Sequence, residues 1–136
     1  MSNLLINRSH LHSHPHPHAH KVLQRRTLQY KRMYALQDGK CFYCQAVIPR
    51  AKITKDHFYP KSWGFSLSYN TILACDYCNQ VKSNYSIREL RHRLQQKIKN
   101  ISGAGKDAKW KKRKYKRILI TCNDLLHLNN LGMLQL

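Results

Sequence analysis

Cys41-Phe-Tyr-Cys44 and Cys75-Asp-Tyr-Cys78 form two cysteine pairs, with two residues inside each pair and 30 residues between them. That spacing lets both sulfurs of a pair reach one ion, and two such pairs complete a tetrahedral thiolate site that suits zinc. A fifth thiol, Cys122, falls on the inner face of an expected helix and reads as a small core residue. Between and just after the pairs stand Asp56-His57, Phe58-Tyr59-Pro60-Lys61-Ser62, Asn70, Asn79 and Lys82. A second chemistry is written in the charge. Lys109-Trp-Lys-Lys-Arg-Lys-Tyr-Lys-Arg117 holds seven basic residues in nine positions. Such density attracts a phosphate backbone, with an affinity that falls steeply as salt rises.

The whole chain agrees with that bias. Its 136 residues carry 25 Lys and Arg against 6 Asp and Glu, a formal +19, or about +17 once four thiolates hold a zinc ion. Uncompensated charge of this size opposes folding unless a polyanion screens it, so nucleic acid is the expected partner. An acidic-tail or calcium-buffer protein is excluded. Hydrophobic residues make up 42% of the sequence, too many for a fully disordered chain. No early apolar run beyond Leu4-Leu5-Ile6 suggests a secretion signal, and no run approaches the roughly 20 apolar residues of a spanning helix. The expectation is a cytoplasmic protein of prokaryotic or phage type, whose paired cysteines hold metal rather than disulfides.

Taken in order, C-x2-C, then D-H-x2-P-x-S, then N, then C-x2-C-N-x2-K closely resembles the HNH endonuclease family in its four-cysteine form. The resemblance covers residues 30–85, including the approach from Tyr34 to Gly39. It implies a ββα-metal finger, a β-hairpin followed by a helix that grips one divalent ion. It also implies that Asp56 is a ligand of that ion, that His57 is the general base, and that Asn70 pins the loop and orients His57. The third motif position, often histidine, is Asn79 here, as in HNN variants of the family, and an amide oxygen is a reasonable hard ligand for magnesium or manganese. The residue types suit phosphodiester hydrolysis: histidine titrates near neutral pH and can take a proton from water. Neighbours on a regular strand face opposite ways. Asp56 and His57 therefore serve one ion only if the backbone twists or their roles come from different sides.

The elements that must position these residues follow from periodicity and capping. Residues 10–20, HLHSHPHPHAH, place histidine at every second position, but Pro15 and Pro17 oppose a paired strand. Residues 1–20 are expected to be a flexible tail, loosely metal-binding or, on the preferred reading, merely solubilising. One domain is expected over 21–136, with its motif core at 41–85. A helix is expected over Lys21–Gln37, ended by Gly39. Strands are expected around Ile53–Phe58 and Thr71–Ala74. Asp76 suits the positive end of a helix that follows. Ser86-Ile-Arg-Glu fits a capping box, behind which Ile87, Leu90, Leu94, Ile98 and Ile101 give one apolar face. After Gly103 and Gly105, a basic last helix over about 107–130 turns Tyr115, Ile118, Leu119, Cys122, Leu125 and Leu126 inward, with Trp110 expected to anchor it to the core.

The sequence thus predicts a small zinc-stabilised α+β domain, an HNH finger flanked by N- and C-terminal helices. The implied activity is metal-dependent hydrolysis of DNA, double-stranded DNA being the expected substrate and RNA a possible one. Zinc is structural and magnesium or manganese catalytic. The phosphate contacts are expected from Lys82, Lys109, Lys111, Lys112, Arg113, Lys114, Lys116 and Arg117. One active site per chain would nick, and a homodimer would cut both strands. The alternative is a zinc-dependent nucleic-acid-binding module without catalysis, which has no need of Asp56, His57 and Asn70. A membrane-surface binder lacks a strongly amphipathic terminal helix with interfacial aromatics.

Overall fold

The computed structural model describes residues 28–60, 63–64 and 70–134. The histidine-rich tail, residues 21–27 of the expected first helix, Lys61 and Ser62 lie outside them. The chain divides into two compact units, Met1–Lys31 and Arg32–Leu136. Of the first unit, residues 28–31 are described and are helical.

The second unit carries every candidate site residue. It opens on helical residues 32–36 (α1) and turns at Gly39, whose φ is +64°. A Cβ there would stand 2.7 Å from the Tyr34 hydroxyl, which donates to the Ile48 carbonyl at 3.1 Å. Both the left-handed backbone and the close approach therefore call for glycine. Residues 40–48 fold back as a tight knuckle: Lys40 bridges Val47, the Cys41 N–H donates to the Ala46 carbonyl at 2.8 Å, and Gln45 takes the corner at φ +58°.

After a 3-10 turn at Arg50–Lys52, β1 (Ile53–His57) and β2 (Thr71–Cys75) pair antiparallel. The register sets Ile53 opposite Cys75 and His57 opposite Thr71. A two-stranded hairpin is marginal alone in water. Gln37 steadies this one as a neighbouring strand would: its amide donates to the Leu73 carbonyl at 2.9 Å and accepts from the Leu73 N–H at 3.0 Å. β2 runs without a loop into α2 (Asp76–Lys82). Cys75 is thus the last strand residue and Cys78 lies in the first helical turn, so the second cysteine pair is a strand-to-helix junction.

Ser86 caps α3 (Ile87–Asn100) in a complete capping box with Glu89, as the sequence predicts. Ile87, Leu90 and Leu94 are buried in one cluster with Ile118 and Cys122 of α4 (Lys106–Asn130). Arg91 adds a 2.8 Å bond from its Nε to Asn123 Oδ1 across the two helices. α4 starts at Lys106, ahead of the apolar period that marks it in the sequence, because its first turn is polar and follows directly on Gly105 as N-cap. The architecture is the α+β one expected: a hairpin, a following helix, flanking helices and a four-cysteine cluster. Among the described residues, no helix is long and apolar enough to cross a membrane.

Candidate functional site

The sulfurs of Cys41, Cys44, Cys75 and Cys78 all lie within 4.8 Å of one another. Four thiolates around one zinc ion stand about 3.8 Å apart, from a metal–sulfur length of about 2.3 Å, so the cluster fits that ion with little rearrangement. The thiols hydrogen-bond to one another. Those bonds push Cys41 and Cys78 up, hold Cys44 far down, and bring Cys75 down to about 6. Four thiols, three of them buried, competing for each other's protons make a poor apolar core and a good ligand set, because one cation can replace the protons. Cys122 differs: fully buried on α4, it is pushed up to about 12, chiefly by burial. It is an inert core thiol, as expected.

The first knuckle is tied in two directions. Its Tyr43 carbonyl accepts from Thr121 Oγ1 of α4 at 2.6 Å. Tyr43 itself is 0% exposed, and its hydroxyl donates to Asp56 Oδ2 at 2.6 Å. Burial, then the adjacent Asp56 carboxylate, drives the phenol well above its ordinary pKa, so Tyr43 remains the donor.

Asp56, 6% exposed, also accepts from the His57 N–H through Oδ1 at 2.8 Å. Strand alternation holds: the carboxylate is buried beside the knuckle, while His57 is half-exposed. Each Asp56 oxygen thus takes one hydrogen bond and keeps a further lone pair. The His57 ring and the Asn79 amide, both half-buried, make no hydrogen bond to protein among the described residues. Asp56 and Asn79 offer hard oxygen donors of the kind magnesium or manganese takes.

α2 is held against β1 by Lys82, whose Nζ donates to the His57 carbonyl at 3.1 Å and to the Ser83 carbonyl at 3.4 Å. Lys82 lies one turn beyond Asn79, so this tie turns that side of α2 towards the His57 end of the strand. The expected phosphate contact from Lys82 is corrected. The residue is 1% exposed, and burial lowers its pKa while Asp56 pulls it back up. It is an internal strut.

Asn70, 3% exposed, clamps the loop after β1. Its Nδ2 donates to the Tyr59 carbonyl at 2.8 Å and its Oδ1 accepts from the Tyr59 N–H at 2.6 Å. The amide therefore grips backbone two residues beyond His57 rather than the imidazole. Sequence reasoning missed Tyr43 and Gln37. A tyrosine inside a metal knuckle was the available signal, since a buried hydroxyl needs a partner. Nothing local marks Gln37, whose partner lies 36 residues away.

On α4, Lys109, Lys112, Arg113 and Lys116 are exposed and share one face by their three- and four-residue spacing. Lys111 and Arg117 are exposed as well. Lys114 is not displayed with them: it is half-buried, and although burial lowers its pKa, its hydrogen bond to Cys44 and the charges of Cys44, Cys75 and Cys78 together raise it. Trp110 is also not the core anchor expected. It is half-exposed, with its ring edge-on to Tyr77 at 5.0 Å.

Residues 41–95 match the model of a family described as HNH endonuclease, and this segment is an HNH endonuclease family domain. No curated protein matches the sequence. Among solved structures, the type II-C Cas9 enzyme from Actinomyces naeslundii aligns with 19% identity and a TM-score of 0.42. The alignment covers 74% of this chain and 15% of that one.

Proposed function

We propose that this HNH-family chain is an endonuclease that hydrolyses phosphodiester bonds of DNA, with structural zinc on its four cysteines and a catalytic divalent ion on Asp56 and Asn79. The observation that carries the reading is the β1–α2 contact. Lys82 ties α2, the helix that carries Asn79, to β1, the strand that carries Asp56 and His57, within the segment that matches the family, which supports a shared site for the three side chains.

In this reading a ring nitrogen of His57 takes a proton from water as the water oxygen attacks phosphorus. The bond to the 3′ oxygen breaks and that oxygen takes a proton from solvent, leaving a 5′-phosphate and a 3′-hydroxyl. Bound magnesium or manganese would supply positive charge against the phosphoryl oxygens. Tyr43 holds Asp56 in place, Lys82 holds α2 against β1, and Asn70 fixes the loop beyond His57. The exposed face of α4 supports binding of the DNA backbone, which positions the substrate without reading its bases. One site per chain nicks, and two chains together cut both strands.

The test is incubation of supercoiled plasmid with the zinc-loaded protein and magnesium or manganese. Nicking is expected, and His57→Ala should abolish it while zinc content and DNA affinity stay near normal. Binding without nicking, unchanged by that substitution, would make the chain a zinc-braced binding module instead.

A further inference from the structure

Next to this site, residues 58–60 and Trp63 contribute to a slot that hydrolysis as described does not use. Phe58, Tyr59, Pro60 and Trp63, together with Ser86, Ile87 and Arg88 at the start of α3, line a volume of about 120 Å³. A cavity of roughly 150 Å³ takes a benzene ring, so this smaller, open slot admits the edge of one planar ring system and leaves the rest outside it. Its aromatic walls are already arranged. Phe58 meets Tyr59 edge-on at 4.9 Å, and Tyr59 stacks towards Trp63 at 6.1 Å with 30° between the ring planes. Asn70 grips the Tyr59 backbone on both sides, so this residue of the wall is held in place before any ligand arrives.

The lining chemistry narrows the occupant. Trp63, whose ring stacks towards Tyr59, is 50% exposed. Arg88 is the charged residue of the lining, and no carboxylate joins it. Flat apolar walls with one cation suit a flat ligand that carries negative charge, which is the description of a nucleotide: a base against the rings and a phosphate towards the guanidinium. A base stacked inside a duplex cannot reach such a slot; it must be unpaired or turned out.

We infer that this slot takes one unpaired nucleobase of the substrate strand beside the phosphate that is cut, which makes single-stranded or locally opened DNA the favoured substrate. The placement beside the cut phosphate rests on the proposed nuclease reading; the base slot itself does not. Stacking tolerates any base, so the slot confers preference for strand state rather than sequence.

The test compares binding of the zinc-loaded full chain, without added magnesium, to oligothymidylate and to an abasic oligonucleotide of equal length and charge. Oligothymidylate should bind about tenfold more tightly, the order expected of one stacked base. Trp63→Ala should lower its affinity to the abasic level and leave abasic binding unchanged, Trp63→Phe should keep most of the difference, and Trp110→Ala should keep all of it. Equal affinities for the two probes in the unmodified chain would overturn the slot, as would a Trp63→Ala chain with normal zinc content that still distinguishes them. Plasmid nicking is scored separately. Nicking without base dependence removes the slot alone, and base dependence without nicking removes the nuclease reading alone.

Discussion

The Tyr43 hydroxyl donates to Asp56 Oδ2 at 2.6 Å, with both side chains buried. This bond joins the zinc knuckle to the carboxylate of the candidate catalytic site. The two metals the chain is read to use are therefore mechanically linked: the ion that folds the knuckle also fixes the residue between its cysteines, and that residue fixes Asp56.

Tyr43→Phe keeps the ring packing and removes only the donor. The loss of a hydrogen bond to a buried carboxylate costs about 1.5–3 kcal/mol, read as a lower melting temperature with zinc content unchanged. If the bond positions Asp56, half-maximal cleavage should also require several-fold more magnesium. An unchanged magnesium requirement would limit Tyr43 to a packing role.

Cys75→Ser leaves three thiols at the junction of β2 and α2. Structural zinc contributes about 10–16 kcal/mol in small metal-folded domains, against a net stability of about 5–15 kcal/mol for a typical protein. The variant, like chelator-treated protein, should lose the metal and the cooperative unfolding transition together, seen by metal analysis and circular dichroism. A folded, metal-free variant would show that the apolar cluster alone suffices.

Lys82→Ala separates an internal strut from a phosphate contact. Removal of the ammonium leaves the part-buried His57 carbonyl without this donor, at a cost on the order of 1 kcal/mol. Cleavage should fall while the dependence of DNA affinity on salt stays the same. A shallower salt dependence would return Lys82 to the phosphate-binding set.

Lys112, Arg113 and Lys116 changed together to Gln make the opposite prediction. Each lost contact to duplex phosphate lowers the slope of log affinity against log salt by about 0.9. The triple variant should thus bind more weakly at low salt, with a slope shallower by up to about 2.7. Zinc content and melting temperature should hardly move, because all three side chains are exposed.

What could be read without coordinates were the features encoded over short spans. The cysteine spacing, the Ser86–Glu89 cap, the apolar stripe from Ile87 to Ile101 and the run of basic residues each depend on neighbours within a turn or two. The strands of the hairpin and the order of elements followed for the same reason. The direction in which a polar side chain faces was decided only by tertiary packing. Lys82 and Lys114 sit in lysine-bearing stretches that look solvated, yet one is sealed between α2 and β1 and the other leans on a thiol. Tyr43 and Gln37 find their partners 13 and 36 residues away. A buried donor takes whichever acceptor the completed fold brings within reach, and no local pattern carries that information.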